Sequence, residues 1–238
     1  MFGAEFVRRL FRTFGLEVIR LGTHRAVLLE SDLKRLSSST APMNVFDVGA
    51  NIGDFSAQIR IAFPHARIVA FEPVPETFED LARRYRSDGR TRCEPFALGA
   101  HDGTAQMLMQ EQSSWARVTT AAAEDDASNT VEVGIATVDQ YCAEHGIKQV
   151  DLLKTDCEGH DLAVLEGAAG MLSNQAVKAV YCEVNFHRNQ SHGDFFKLNE
   201  LLESFGYTCY GFYDYSGVGY SMEHSFTNAL WTLRSTTT

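Results

Sequence analysis

The chain alternates between short apolar runs and longer stretches in which apolar residues recur every three or four positions. The short runs are typical of buried strands, and the longer stretches are typical of amphipathic helices. From residue 44 onward, the pattern predicts strands at 44–48, 67–71, 92–98, 103–110, 131–136, 150–155, 179–184, 207–213 and 228–233. It predicts helices at 54–63, 75–86, 138–145, 161–172 and 195–205. This alternation indicates an α/β fold with a doubly wound, mainly parallel sheet, and the last two strands indicate an antiparallel hairpin at one edge.

The first 35 residues follow a different pattern, because aromatic and aliphatic side chains recur at every fourth position among arginines. Phe2, Phe6 and Leu10 have this spacing, which predicts a helical segment. A serine-rich break separates the segment from the rest of the chain. We therefore expect an N-terminal helical extension at 1–41 and one α/β domain at 42–238. The extension suits a helix that packs on the domain, a contact between two copies in a homodimer, or a lid over the substrate.

Composition and charge narrow the classes of ligand and location. The 238 residues include 21 basic and 31 acidic ones, for a formal net charge of −10. Such a net charge disfavours a broad nucleic-acid interface or an anionic membrane surface, and it suits a cationic ligand. Five cysteines occur without zinc-finger spacing, and no apolar stretch is long enough to span a bilayer. These features predict reduced thiols and a cytoplasmic protein without a membrane span.

A glycine-containing turn follows the first predicted strand of the α/β domain. Asp47, Gly49, Asn51 and Gly53 lie in and beside this turn, at the place where open α/β sheets bind ligands. Asn51 stands where a dinucleotide-binding turn has its middle glycine, and no Gly-Lys-Ser/Thr follows as it does in a P-loop. Asp47 would also repel a pyrophosphate. The turn therefore favours a cationic ligand over a phosphate.

The next predicted strand leads directly into Glu72 and Pro73. An acidic residue about 20 residues after a nucleotide-binding turn commonly holds a ribose, and Glu72 lies near that offset from Gly49. S-adenosylmethionine carries a ribose, an ammonium group and a sulfonium, and it has no phosphate. It therefore suits both the turn and Glu72, and we predict it as the cofactor.

Acidic and polar side chains also follow two later strands. Asp156 and Glu158 come just after one strand, and Glu183, Asn185 and His187 end or follow the next. Neighbouring parallel strands end in one crevice, so these groups are expected to converge there. Asp156, Glu158 and His187 are the candidate catalytic residues, with His187 as a base for transfer to a hydroxyl. Asp156, Glu183 and Asn185 would alternatively suit a hard divalent cation, so the use of a metal stays open.

Several ordered segments resemble those of the FkbM-type methyltransferases, a family with the class I S-adenosylmethionine-dependent fold. The resemblance covers roughly residues 44–233, and its most distinctive block is Lys-Thr-Asp-Cys-Glu-Gly at 154–159. The other matching segments are Phe-Asp-Val-Gly-Ala-Asn-Ile-Gly (46–53), Phe-Glu-Pro (71–73), Ala-Leu-Gly (97–99), Asp-Gly-Thr (102–104), Ala-Thr-Val-Asp-Gln-Tyr (136–141), Glu-Gly-Ala (166–168), Cys-Glu-Val (182–184) and Phe-Gly-Tyr (205–207). The resemblance implies a Rossmann-like sheet of seven strands. It also implies O-methylation of a hydroxyl on a small molecule, natural product, sugar or glycan.

The resemblance further implies that several loops surround S-adenosylmethionine. By position, these residues are Asp47, Gly49, Asn51 and Gly53 around the methionine part, Glu72 at the ribose with Pro73 beside it, Ala97 and Leu98 flanking the adenine, Ser113 or Ser114 near the cofactor or the acceptor, and Asp156 and Glu158 beside the methyl group.

Two other functions stay open on the sequence. A catalytically inactive module of the same fold would bind S-adenosylmethionine without turnover on any acceptor. A nucleotide-dependent oxidoreductase would be stabilised by NAD and not by S-adenosylmethionine.

Overall fold

The computed structural model describes residues 26, 28–37, 42–109, 116–119, 130–186, 193–216 and 226–234. The chain divides into two compact units, Met1–Thr40 and Ala41–Thr238. Within the first unit, helix α1 spans Leu29–Leu36, with acidic residues in its first turn and basic residues in its last, as the helix dipole favours. Most of the helical segment predicted for 1–35 lies outside the described residues. The domain boundary after residue 41, and the role of the segment before it, stay predictions.

The described part of the second unit alternates strands with helices. The strands are β1 (Asn44–Val48), β2 (Arg67–Phe71), β3 (Thr91–Glu94), β4 (Ala97–Leu98), β5 (Gly103–Met109), β6 (Ala116–Thr119), β7 (Thr130–Ala136), β8 (Leu152–Thr155), β9 (Ala179–Asn185), β10 (Tyr207–Ser216) and β11 (Phe226–Leu233). The helices are α2 (Asp54–Ala62), α3 (Pro75–Tyr85), α4 (Val138–Glu144), α5 (Asp161–Glu166), α6 (Ala169–Ser173) and α7 (Phe195–Ser204). No helix in the described ranges is both long and apolar enough to cross a bilayer.

Seven of the strands form the main sheet, in the spatial order β10-β11-β9-β8-β1-β2-β3. The five strands β9, β8, β1, β2 and β3 run parallel to one another. β11 runs antiparallel to β9, and β10 runs antiparallel to β11. The prediction of a doubly wound, mainly parallel sheet of seven strands with an antiparallel edge hairpin is therefore confirmed.

A second sheet of four strands has the order β4-β7-β5-β6. The sequence pattern predicted one strand at 92–98, and this detail is wrong, because β3 belongs to the main sheet and β4 to the second. Pro95 lies between them and lacks the N–H group that a continuous ladder would need. The second sheet therefore begins where the chain leaves the edge of the main sheet.

The helix predicted at 161–172 is also divided, into α5 and α6, with Gly167 and Ala168 between them. A Cβ atom on Gly167 would lie 2.0 Å from the carbonyl oxygen of Gly99, so the chain approaches the loop after β4 too closely for any side chain. α6 begins immediately afterwards, and the carboxylate of Asp139 accepts hydrogen bonds from Gly170 N at 2.6 Å and Met171 N at 2.8 Å. These contacts cap the first turn of the new helix.

The core lies around β1, β8 and β9, whose side chains are buried nearly throughout, as near-continuous apolar runs predict for central parallel strands. Phe46 and Leu153 pack in one cluster with Trp231 and Tyr207, all at most 1% exposed. The strand order reverses beside β1, where the chain crosses to β2 on one side and β8 lies on the other. Such a reversal opens a crevice at the carboxyl ends of the strands.

Candidate active site

A cleft lies at the carboxyl ends of β1, β2, β8 and β9, where the strand order reverses. Its lining residues are Val48, Gly49, Asn51, Phe71, Glu72, Pro73, Val74, Ala97, Leu98, Met107, Asp156, Cys157, Glu158, His160 and Glu183. Eight of the predicted site residues are among them, namely Gly49, Asn51, Glu72, Pro73, Ala97, Leu98, Asp156 and Glu158. Their roles in binding or catalysis stay predictions at this point.

The turn after β1 reaches the cleft through backbone that only glycine allows. Gly49 has φ = 70°, and a Cβ atom there would lie 2.0 Å from the carbonyl oxygen of Asp156. The two loops are also joined by the bond from Asp156 N to Val48 O at 3.1 Å. Asn51 has φ = 49°, a left-handed conformation that asparagine tolerates better than most residues. The turn after β1 is therefore pressed against the loop after β8.

Glu72 is the buried carboxylate of the cleft, with 6% of its surface exposed. Its Oε2 accepts a hydrogen bond from Asn51 N at 2.8 Å, and its Oε1 accepts one from Val74 N at 2.9 Å. Burial raises the pKa of Glu72, and the two backbone N–H groups oppose that shift only in part. The carboxylate is thus fixed in orientation between the turn after β1 and the start of α3.

Asp47 and Gly53 lie behind the cleft rather than in its lining. Asp47 is fully buried, where its Oδ2 accepts a 2.6 Å hydrogen bond from Ser56 Oγ and its Oδ1 lies 3.1 Å from Lys154 Nζ. Its charge is therefore balanced inside the protein, whereas we expected it to attract the ligand directly. Gly53 precedes α2 with φ = 85°, and the Tyr85 hydroxyl donates to its carbonyl at 2.7 Å. Both residues shape the turn from beneath.

Lys154 is a residue of this region that the sequence analysis did not single out. It lies in β8, only 6% exposed, with its Nζ 2.9 Å from the carbonyl oxygen of Gly49. A lysine inside an apolar strand could have drawn attention to it, since a buried charge needs a partner of opposite charge. That partner is Asp47, but the sequence does not show that β1 pairs with β8, and this pairing brings the two residues together.

An apolar wall closes the side of the cleft next to the second sheet. Ala97 and Leu98 of β4 contribute to it, and Pro73 also lines the cleft. Val74 and Met107 also line it, and the sequence analysis missed both. Met107 reaches the cleft because β5 pairs with β7 in the second sheet, which no local pattern reveals. Ser113 and Ser114 lie outside the described residues.

The opposite end of the cleft is polar. Asp156 and Glu158 lie there with His160 and Glu183, and Glu158 has φ = 49°, an uncommon backbone conformation for a side chain of its size. His160 was not among the predicted site residues. His187, the predicted base, lies outside the described residues.

The three residues considered as ligands of a divalent cation, Asp156, Glu183 and Asn185, do not all line the cleft. Asp156 and Glu183 line the cleft, while Asn185 is 2% exposed and is absent from the lining. Within the described ranges, no three His, Cys, Asp or Glu side chains come together in a way that would hold a metal ion.

The negative charge of the cleft favours a cationic ligand. Four carboxylates line it, and among its described lining residues none is lysine or arginine. A phosphate ligand would meet repulsion there, whereas a cation would be attracted. The cleft therefore combines a glycine turn, a fixed buried carboxylate, an apolar wall and a negative end.

Known proteins resemble this chain in sequence and in fold. Residues 47–209, more than half of the chain, match the methyltransferase FkbM domain. The chain is 29% identical over 159 residues to the hexuronic acid methyltransferase AglP of Haloferax volcanii, and 30% identical over 153 residues to the 31-O-demethyl-FK506 methyltransferase FkbM of Streptomyces tacrolimicus. These alignments cover 66% and 52% of this chain and 62% and 58% of those proteins, so the chain spans about three fifths of their length.

Among solved structures, the methyltransferase domain of METTL16 superposes with a TM-score of 0.51 at 10% identity, over 87% of this chain and 65% of that one. This likeness concerns the fold alone. The family match and the fold agree with the Rossmann-like architecture and with the motifs around the cleft. The chain belongs to the FkbM methyltransferase family.

Proposed function

We propose that this protein transfers a methyl group from S-adenosylmethionine to a hydroxyl oxygen of a small molecule or glycan. The observation that carries the proposal is the buried Glu72 carboxylate, which is fixed by two backbone N–H groups beside the glycine turn. A carboxylate in this place suits a ribose, and the negative cleft around it suits a cationic cofactor and not a phosphate.

The cleft residues fit S-adenosylmethionine part by part. Gly49 would face the methionine part, and its lack of a Cβ atom lets the turn after β1 pack against the loop after β8. Glu72 would accept the ribose hydroxyls, and Leu98 and Met107 would pack against the adenine. Asp156 would lie on the side of the ammonium and sulfonium groups. The bound cofactor supplies a methyl group made electrophilic by its positively charged sulfur.

The polar end of the cleft suits the acceptor. Methyl transfer to a hydroxyl forms a bond between the acceptor oxygen and the methyl carbon while the sulfur–carbon bond breaks, and the hydroxyl proton must be taken up. Glu158, His160 and Glu183 carry groups that accept protons or hydrogen bonds, and all three line the same cleft. We assign the binding and deprotonation of the acceptor hydroxyl to this group.

The relatives favour oxygen as the atom that is methylated. One is named for hexuronic acid, and another is named for a 31-O-demethyl compound. The second name places the methyl group on oxygen, and a hexuronic acid offers oxygen atoms, in its hydroxyl groups and its carboxylate, as methyl acceptors. An acceptor rich in hydroxyls would also find hydrogen-bond partners in the carboxylates at the polar end of the cleft.

Cofactor binding is the first test. In isothermal titration calorimetry, the purified protein is expected to bind S-adenosylmethionine and S-adenosylhomocysteine, and to give no signal with NAD. An oxidoreductase would show the reverse, with thermal stabilisation by NAD alone. Binding of S-adenosylhomocysteine with no turnover on any acceptor in the panel below would instead support an inactive binding module.

The acceptor class is the second test. A panel of hexuronic acid glycosides, neutral sugars and hydroxylated natural products is incubated with S-adenosylmethionine carrying a labelled methyl group. We expect the label to appear as a methyl ether, identified by mass spectrometry. Label found on nitrogen or carbon acceptors, with none on oxygen, would contradict O-methylation while leaving cofactor binding intact.

A further inference from the structure

Lys154 connects the two loops that form the floor of the cleft. It is the charged residue of β8, a strand in which all four residues are buried. Its Nζ lies 2.9 Å from the carbonyl oxygen of Gly49, 3.1 Å from Asp47 Oδ1 and 3.7 Å from Asp156 Oδ2. One ammonium group thus joins β1, the glycine turn and the loop after β8.

The groups around Lys154 keep it cationic. Asp47 faces it from β1, Asp156 from the loop after β8, and Glu72 attracts it from the end of β2. The ring of Phe55 in α2 covers it, with the ring centroid 5.7 Å from Nζ. Burial alone would lower the pKa of Lys154, but Asp47 and Asp156 outweigh burial and raise that pKa above its usual value.

Gly49 and Asp156, which both contact Lys154, belong to the cleft lining, while Lys154 itself does not. The side chain of Asp156 is 41% exposed, so it would be free to change rotamer without an attraction from below. Gly49 lines the cleft through its backbone, and its carbonyl oxygen accepts the hydrogen bond from Lys154. Lys154 therefore acts on the cleft only through its neighbours.

We infer that Lys154 is a positioning residue, which fixes the Asp156 carboxylate and the Gly49 carbonyl relative to one another in the cleft. The inference rests on the proposed function, because these two groups are the ones we assign to the methionine end of S-adenosylmethionine. Small displacements of such groups carry large effects, since a shift of about 1 Å in a reacting site reduces rates on the order of 100-fold.

The test must separate two roles of Lys154, the positioning of Asp156 and Gly49 and the neutralisation of the buried charge of Asp47. Lys154→Met alone would leave Asp47 buried without its countercharge, which destabilises the fold. The variant to use is therefore D47N/K154M, which removes both charges of the buried pair and keeps side chains of similar size. An amide at position 47 still accepts the hydrogen bond from Ser56.

A matched control removes a different ion pair at the same turn. Arg84 Nη1 lies 2.6 Å from Asp54 Oδ1 and donates to the carbonyl of Ile52 at 2.8 Å. It thus holds the turn from its exposed side, as Lys154 does from its buried side. The control variant is D54N/R84M, and none of its changes lies in the cleft lining.

We expect D47N/K154M to bind S-adenosylmethionine roughly 10- to 100-fold more weakly in calorimetry, from misplaced ligand contacts. Its thermal unfolding midpoint should stay close to that of the wild type, and D54N/R84M should bind as the wild type does. Because Lys154 acts through Asp156, the D47N/K154M changes should cost less affinity when they are made in the Asp156→Asn protein than when they are made in the wild type. If the role of Lys154 were purely structural, the two losses of binding free energy would add.

Wild-type affinity in D47N/K154M, or strictly additive losses with Asp156→Asn, would overturn the inference while the proposed function stands. Absence of S-adenosylmethionine binding by the wild type would overturn the proposed function itself. If D47N/K154M does not fold, Lys154→Arg carries the test, because it keeps the charge but moves the donors. Weakened binding by a folded Lys154→Arg protein supports positioning, and unchanged binding refutes it.

Discussion

Gly49→Ala is expected to abolish cofactor binding and to lower the free energy of unfolding by about 2–5 kcal/mol. The left-handed backbone accounts for about 1–2 kcal/mol of this loss, and overpacking accounts for about 1–3 kcal/mol. The new Cβ would lie 2.0 Å from the carbonyl oxygen and 2.9 Å from the carbonyl carbon of Asp156. Backbone atoms of a loop cannot rotate away as a side chain can, so the two loops must separate and the cleft must lose its shape.

Gly146→Ala is the matched control for this result. Gly146 also has a left-handed backbone, with φ = 64°, but a Cβ atom there would meet nothing within 4 Å. It follows α4 and does not line the cleft. The control should lose only the conformational contribution of about 1–2 kcal/mol and should keep full affinity for S-adenosylhomocysteine. Urea unfolding and calorimetry on both variants make the comparison, and equal losses in the two would show that the contact with Asp156 is unimportant.

The strand and helix pattern predicted the main sheet because its central strands are buried on both faces and bounded by turns. β1, β8 and β9 read as short apolar runs for that reason. The second sheet was not predictable, since its order β4-β7-β5-β6 depends on pairing between segments far apart in the chain. The break at Pro95 was visible in the sequence, but whether the chain continues or leaves the sheet there depends on tertiary contacts.

In the cleft, too, the residues that could be predicted are those marked by local sequence spacing, and the residues that were missed or misplaced depend on strand pairing. Gly49, Asn51 and Glu72 were singled out because their spacing along the chain carries the signal, and all three line the cleft. Asp47 was assigned to the ligand, yet it lies beneath the turn, because side chains alternate between the faces of β1 and its partner Lys154 comes from a neighbouring strand. Met107 was missed because the second sheet brings it to the cleft.

Glu72→Gln is expected to weaken S-adenosylhomocysteine binding by roughly 100-fold, equivalent to two hydrogen bonds of about 1.4 kcal/mol each. The carboxylate oxygens already accept from Asn51 N and Val74 N, and their remaining lone pairs are the proposed acceptors for the ribose hydroxyls. A glutamine amide has only one oxygen, and its NH₂ group would face one of these backbone donors. Glu76→Gln makes the same chemical change at an exposed position of α3 and should leave binding unchanged.

The affinity of the wild type should also depend on pH through Glu72. The ionised carboxylate is the form that accepts hydroxyl donors, so protonation removes the interaction. Burial raises the pKa of Glu72 above its usual value of 4.5, with Asp47 adding to that shift and Lys154 opposing it. Affinity for S-adenosylhomocysteine should therefore fall on acidification, and the fall should begin at a higher pH than an ordinary glutamate would give. Calorimetry on acidification should show this early fall in the wild type and in Glu76→Gln but not in Glu72→Gln, because only the first two keep the Glu72 carboxylate. The same acid loss in Glu72→Gln would assign the pH dependence to another group.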